Sequence, residues 1–197
     1  KRNRYTPSVL STPPASFDWR DHESSDWMTP IKTQGGCSSC WAFAPVGVAE
    51  AAINIANDNA NLNKDLSEQY LVSDCCLGNC CSGSVVEALT YVRNLGIPDE
   101  DCMPYVDGNG CSCGDGSCSS NCTYNTGSSC SDRTCSDRCS DWQDRLATIN
   151  STDRVASDPQ TIKQALVDIG PLVVYMGIGL DFGGYLDGDI YRCAYDD

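Results

Sequence analysis

The sequence predicts an α+β fold. Apolar residues recur at helical spacing in three segments between residues 40 and 95, which indicates a mainly helical region. From residue 140 onward the pattern favours strands, and the apolar run 172–176 is the clearest candidate. Between the two regions, residues 102–139 hold eight cysteines among Gly, Ser, Asp and Asn, which predicts an insertion held by disulfides. Helices and strands segregated along a chain are typical of this class.

Composition limits the classes of partner. The net charge of −14 argues against nucleic acid and anionic membrane surfaces as partners. No apolar run is long enough to span a membrane, and no signal-peptide core is present at the N-terminus. We therefore interpret the chain as a mature or trimmed product, long enough for one large domain or two small lobes.

Cysteine content indicates an oxidising environment. Fifteen cysteines in 197 residues is a density typical of extracellular, disulfide-linked proteins. We expect a secreted protein, or one in a lysosome-like or periplasmic compartment. The odd number requires at least one free thiol or a bond outside the chain.

Each element follows from its own pattern. Residues 1–20 are predicted to form an extended N-terminal arm. Residues 40–57 are the strongest helix candidate, with one apolar face and a kink expected at Pro45 because proline removes a backbone hydrogen bond. That face carries Ala44, Val48, Ala52 and Ile55.

Three further helices are predicted. The first spans residues 66–72, with Ser67 as its cap. The next spans about 84–95 and ends at Gly96, and the last spans 162–169 before the strand 172–176. The apolar residues of the helix at 84–95 are Val85, Val86, Leu89, Val92 and Leu95.

The segment 34–43 carries the candidate nucleophile. A loop of glycine and serine leads there into the first helix, and Cys40 stands at the join. A free cysteine ionises near pH ~8.5. The unpaired N–H groups and the dipole at a helix N-terminus favour the thiolate, which is the reactive form.

Four segments together resemble the papain-like cysteine proteases. Gln34-Gly35-Gly36-Cys37-Ser38-Ser39-Cys40-Trp41-Ala42-Phe43 resembles the active-site signature of that family, with Ser38 where the family usually has glycine. The other matching segments occur in the family's order, and the resemblance covers most of residues 17–101 and 160–193. They are Phe17-Asp18-Trp19-Arg20, Leu66-Ser67-Glu68-Gln69-Tyr70-Leu71-Val72, and Gly188-Asp189-Ile190-Tyr191 before Cys193.

The resemblance implies a papain-like two-lobed fold. A helical lobe would span residues 21–139, with the cysteine-rich insertion at 102–139. A β-barrel-like lobe would be formed by the arm together with residues 140–197, and would be incomplete at the C-terminus. A protein or peptide substrate would lie extended in the cleft between the lobes.

The resemblance also assigns catalytic roles. Cys40 would be the nucleophile, Gln34 would donate to the oxyanion, and Cys37 would form a structural disulfide. The family's catalytic histidine and asparagine would fall beyond Asp197. We expect His22, which is the single histidine of the chain, to be an exposed surface residue away from Cys40.

Substrate-binding residues are assigned by the same comparison. The backbones of Gly83 and Ser84 would pair with the substrate like an added strand. Val85 and Val86 would border the pocket for the second substrate side chain. Trp41, which is next to the nucleophile, would be the fifth substrate-binding residue.

Disulfide pairing is suggested only by the resemblance. Cys37 would pair with Cys80 or Cys81. Cys75 or Cys76 would pair with Cys102 or Cys111.

The expected function is therefore that of a cysteine endopeptidase without a cofactor or metal. It would require a C-terminal chain or segment for its base, and the isolated chain would turn over peptides very poorly.

Other interpretations compete with this one. The first is a catalytically silent papain-shaped extracellular binding protein, which Ser84 and Pro45 favour. The second is a thiol oxidoreductase that uses the Cys-x-x-Cys pair of Cys37 and Cys40. Metal binding by the insertion has weak support, from Cys111, Cys113, Cys118 and Cys122 for a soft metal and from Asp107 for calcium.

Overall fold

The helical part of the chain is well defined in the computed structural model. Four α-helices lie in the described residues: α1 (Cys40–Ala56), α2 (Glu68–Val72), α3 (Val85–Asn94) and α4 (Pro159–Asp168). Short 3₁₀ turns occur at Trp19–Asp21, Cys135–Asp137 and Trp142–Arg145. The structure describes residues 5–6, 12–73, 75, 78, 80, 83–106 and 133–175.

Helix α1 is the centre of the helical core. It packs against both α3 and α2, and it continues through Pro45 without a break. Its buried residues are Trp41, Ala42, Pro45, Val46, Ala49, Glu50, Ala51 and Asn54. The predicted apolar face is wrong: Ala44 is exposed, and Val48 is only half-buried. Nearly every residue of this helix is apolar, so the pattern predicts a helix without fixing its buried side.

Helices α2 and α3 begin and end as their patterns predict. Ser67 caps α2 by accepting a hydrogen bond from the Tyr70 N–H at 3.0 Å. Ser84 caps α3, and Gly96, with φ +79°, follows its end. These helices and α1 bury a single cluster, whose members include Trp41, Val46, Leu66, Leu71, Val72, Val85, Val92, Ile97 and Met103.

The strand expectation is wrong for the described part of residues 140–175. No β-strand occurs there, and isolated bridges such as Ile97 with Ala147 are the β contacts that the segment makes. Residues 172–175 form no strand; Val174 is 63% exposed and Tyr175 is 77% exposed. A strand forms by pairing its backbone with a partner, and no described segment pairs with this run. Residue 176 lies outside the described residues.

Helix α4 begins earlier than expected. Asp158 accepts a hydrogen bond from the Thr161 N–H at 2.9 Å, and Pro159 occupies the first turn. Both are start signals, so the helix includes residues 159–161 as well.

The N-terminal arm contacts α4. Trp19 Nε1 donates to the carbonyl of Leu166 at 2.8 Å, and the Tyr5 hydroxyl donates to Asp168 at 2.5 Å. The arm is therefore tied to the region after residue 140, more than a hundred positions away in sequence.

Three disulfides connect the described residues. Cys37 pairs with Cys80, which is one of the two expected alternatives. Cys75 pairs with Cys135 and Cys102 with Cys139, so three of the four expected alternatives, which use Cys75 or Cys102, are wrong. The ends of the insertion are bonded to each other and to the helical lobe. The spacing of cysteines along a sequence does not determine which of them pair. The remaining alternative, Cys76 with Cys111, lies outside the described residues.

Within the described part of the chain, none of the helices has the length and apolar character needed to cross a membrane.

Candidate active site

Cys40 is an exposed thiol at the first residue of α1. Of the described cysteines it is the free one. The N–H groups in the first turn of a helix have no intrahelical acceptor, so they face whatever lies at its N-terminus. Cys37, three residues earlier, is 1% exposed and bonded to Cys80. Because Cys37 is held by Cys80, the Cys-x-x-Cys sequence does not form a bond between Cys37 and Cys40, and the oxidoreductase interpretation loses its support.

Gln34 closes the loop that precedes Cys40. Its side-chain Nε2 donates to the carbonyl of Cys37 at 2.8 Å. The Cys37 N–H donates back to the carbonyl of Gln34 at 3.3 Å. A primary amide carries two N–H groups, so the bond to Cys37 uses one of them.

Tyr105 is a site residue that sequence reasoning missed. Its hydroxyl donates to the Gln34 carbonyl at 2.9 Å and lies 2.8 Å from the Ser39 hydroxyl. Its ring packs edge-on against Phe43, with 4.8 Å between the centroids. A tyrosine so far along the chain from Cys40 carries no local signal of this contact.

Gly83 lies directly against the indole of Trp41. A Cβ at residue 83 would overlap the Trp41 ring. Trp41 is 4% exposed and belongs to the core, whereas Gly83 is exposed. The structure therefore brings the backbone of Gly83 beside the residue that follows Cys40.

The other predicted binding residues divide by burial. Ser84 is extended, with φ −125° and ψ 117°, but its carbonyl already accepts from the Ala88 N–H at 2.8 Å. Val85 is 7% exposed and packs in the core, so its side chain is not accessible from solvent. Val86 is 46% exposed and is accessible.

His22 lies in an aromatic cluster of the arm. Its ring centroid is 5.0 Å from that of Phe17 and 4.9 Å from that of Trp19. His22 is half-buried, so the expectation of an exposed residue is wrong. Contact with two aromatic rings gives the imidazole a packing role.

A partly buried ion cluster holds the chain just before Gln34. The Lys32 ammonium lies 3.0 Å from carboxylate oxygens of both Glu50 and Glu68 and 2.7 Å from Asp65. Glu50 also accepts from the Leu66 N–H at 2.7 Å. The sequence carries no local signal of this cluster, because Lys32 is far from Glu50, Asp65 and Glu68 along the chain.

Burial and charge act in opposite directions on this cluster. Burial raises the pKa of Glu68 to about 7, and the nearby Lys32 ammonium only partly offsets it. Burial alone would lower the pKa of Lys32, but Glu68, Asp65 and Glu50 outweigh it and hold that pKa above its ordinary value. The cluster therefore holds one ammonium among three carboxyl groups, two residues before Gln34.

A cavity of about 450 Å³ opens beside the ion cluster. Lys32, Glu68, Phe43 and Tyr105 contribute to its lining, but Cys40 does not. The described residues contain no group of three His, Cys, Asp or Glu side chains placed to hold a metal ion. The cysteines and Asp107 weighed for a metal lie outside the described residues.

Comparison with known proteins gives the family. The model of the papain family cysteine proteases matches residues 13–196. Cathepsin K of Gallus gallus is 40% identical over 106 residues, which are 52% of this chain and 29% of that protein. A cysteine proteinase of Trypanosoma brucei brucei is 37% identical over 115 residues, which are 56% of this chain and 24% of that protein. The chain thus spans less than a third of the length of these relatives.

Solved structures give the fold. A structure from work on the mite allergens Blo t 1 and Der p 1 superposes with a TM-score of 0.60 at 24% identity, covering 86% of this chain and 48% of that one. The predicted papain-like α+β fold is therefore confirmed. With a family match over nearly its whole length, the chain belongs to the papain family of cysteine proteases.

Proposed function

We propose that the chain carries the nucleophile and the oxyanion site of a cysteine endopeptidase that cleaves proteins or peptides. One observation carries the proposal. Cys40 is free and exposed at the first residue of α1, while the cysteine three positions before it is locked in a disulfide. In the proposed chemistry the thiolate attacks a peptide carbonyl, and the C–N bond breaks to give an acyl-enzyme and an amine, which takes a proton from the general base. Water then hydrolyses the thioester, which gives a free acid and restores the thiol.

The oxyanion is assigned to two donors. The second N–H of the Gln34 amide remains after the bond to Cys37, and the Cys40 backbone N–H lies at the start of α1. Each donor in comparable sites contributes roughly 3–4 kcal/mol to the stabilisation of the transition state.

Substrate is assigned to the surface beside Trp41. Gly83 is exposed and lies against the Trp41 indole, and we assign to its backbone the pairing with an extended peptide. Ser84 would offer its backbone N–H, since its carbonyl accepts from Ala88. Val86 is exposed and would border the pocket for a substrate side chain, with Val85 packed in the core beneath it.

The general base is assigned to sequence outside these 197 residues. His22 packs against the rings of Phe17 and Trp19 in the arm, which gives it a structural role. The proposed organisation is an arm at 1–20, a helical lobe at 21–139 and a second lobe from 140. The proposed location is a secreted or lysosome-like oxidising compartment, which the disulfides favour.

The experiment uses an activated peptide ester. Such a substrate has a good leaving group, so acylation needs no proton from a histidine. We expect mass spectrometry to find one acyl group on the peptide that contains Cys40. Cys40→Ala should abolish the adduct, and Gln34→Ala should slow its formation about a hundredfold.

The control is Ser38→Ala, which changes a loop residue without a proposed role. It should acylate at the wild-type rate. Absence of an adduct on Cys40 in the wild-type protein would refute the proposal. So would reversible oxidation that joins Cys37 to Cys40 during turnover of a dithiol.

A further inference from the structure

We infer that Tyr105 is a positioning residue that keeps the hydroxyl of Ser39 away from the first turn of α1. The inference rests on the proposed role of Cys40 as the nucleophile. It concerns how the N–H groups in the first turn of α1 are kept free of a side-chain cap next to that cysteine.

The phenol of Tyr105 connects the two ends of the loop 34–39. Its hydroxyl donates to the Gln34 carbonyl at 2.9 Å and lies 2.8 Å from Ser39 Oγ. A phenol has a single proton, which goes to Gln34, so Ser39 is the donor in the second bond. The chain of donors therefore runs from Ser39 through Tyr105 to Gln34.

The Ser39 hydroxyl is not used as a helix cap. Ser39 is the N-cap residue of α1, where a serine oxygen normally accepts from an N–H of the first turn, yet it makes no such bond. Ser67, Ser84 and Asp158 do cap α2, α3 and α4 in this way. Ser39 is fully buried, and its hydroxyl is bonded to Tyr105 instead.

A first turn without a side-chain cap suits a cysteine at the first helical residue. The N–H groups and the dipole there face the Cys40 sulfur and later the oxyanion. A serine oxygen bound to those N–H groups would compete with both. Loss of the Tyr105 hydroxyl frees Ser39 to rotate onto the first turn, where its oxygen takes up those N–H groups and slows the reaction of Cys40.

Tyr105 is itself held in place. Its backbone N–H donates to Glu100 Oε1 at 2.6 Å. Its ring packs on Phe43, which lies one turn into α1. The phenol therefore has a fixed position relative to the helix that bears Cys40.

The test measures alkylation of Cys40 by iodoacetamide as a function of pH, followed on the Cys40 peptide by mass spectrometry. Tyr105→Phe keeps the ring and removes only the hydroxyl. We expect the rate of alkylation near pH ~6 to fall about tenfold, with a smaller loss at high pH. A profile within about twofold of wild type, whatever happens to thermal stability, would overturn the inference.

Tyr70→Phe is the matched control. Tyr70 is 2% exposed, and Arg138 Nη1 lies 3.5 Å from its hydroxyl. This variant also removes a phenol hydroxyl from the helical lobe and should keep the wild-type profile. An equal shift in both tyrosine variants would indicate general loosening and would overturn the inference.

The double variant Ser39→Ala/Tyr105→Phe tests the route through Ser39. It has no hydroxyl that can cap α1, so its rate should lie within about threefold of Ser39→Ala alone. It also removes the buried hydroxyl that loses its partner in Tyr105→Phe, and so provides a test if that single variant does not fold. If the double variant still shows a tenfold lower alkylation rate, Tyr105 does not act through the Ser39 hydroxyl.

Failure of this inference differs from failure of the proposed function. If wild-type Cys40 is alkylated but takes no acyl group from the peptide ester, the function fails. If the wild type is acylated and Tyr105→Phe keeps its profile, only the inference fails.

Discussion

Gly83 contacts the face of the Trp41 indole so closely that residue 83 has no room for a side chain. Trp41 is a buried core residue of α1 and the neighbour of Cys40. The contact therefore joins the proposed substrate surface to the helix that bears the nucleophile.

Gly83→Ala should destabilise the protein. Its methyl group would overlap the Trp41 ring, so the indole or the backbone must move, at a cost of about 1–3 kcal/mol. Denaturant unfolding measures the loss. Gly47→Ala is the control, since a Cβ there meets nothing within 4 Å and alanine favours a helix by ~0.5–1 kcal/mol. Equal effects of the two substitutions would contradict the contact.

Glu68→Gln should flatten the pH dependence of stability. The pKa of Glu68 is raised by burial from its ordinary 4.5 to about 7, so the folded state binds the proton more tightly. This contribution is present below pH 4.5 and is lost as the pH rises towards 7. Between pH 4.5 and 7 the free energy of unfolding of the wild type should fall by about 3 kcal/mol more than that of the variant.

Urea unfolding across the pH series measures this difference. Glu87→Gln, which changes an exposed glutamate of α3, is the control and should follow the wild-type curve. Parallel curves for wild type and Glu68→Gln would refute the prediction.

Joint replacement of Cys102 and Cys139 by serine should lower stability. The bond closes a sequence separation of 37 residues, and its loss returns that freedom to the unfolded chain, worth about 3–4 kcal/mol. Chemical unfolding without reductant measures this loss in the free energy of unfolding. Cys40→Ser, which changes an exposed free thiol, should alter stability by less than about 0.5 kcal/mol.

His22→Ala should leave acylation of Cys40 unchanged. The imidazole packs on Phe17 and Trp19, so the variant should instead lose about 1 kcal/mol of stability. The acylation rate with the activated ester and a thermal melt separate the two effects. Loss of acylation with stability intact would assign His22 to the catalytic site.

Local patterns predicted the helices well. Ser67 is a cap predicted from sequence, and Gly96 ends α3 as glycine commonly does. These signals depend only on neighbouring residues. The family motif also placed Cys40 at the start of α1, where the structure has it.

Contacts between distant segments were not predictable from local patterns. The buried side of α1 depends on Lys32, whose ammonium makes Glu50 an interior residue. Val85 and Val86 are adjacent and identical in type, yet only Val86 is exposed, because the rotation of α3 against α1 decides which one is buried. Tyr105 reaches the loop only through tertiary folding.

The pairing of Cys102 with Cys139 holds the two ends of the stretch 103–138 together. The two Cα atoms are 4.8 Å apart, so the backbone leaves the helical lobe and returns to it at nearly one point. Met103, Tyr105 and Cys135 bind this stretch to the helical lobe near its ends, so they must be kept. Closure of a longer loop costs little more than closure of a shorter one, since the entropy grows only with the logarithm of its length. Segments of very different length can therefore be exchanged between Val106 and Arg133, by evolution or by protein engineering, without altering the spacing of the helices around Cys40.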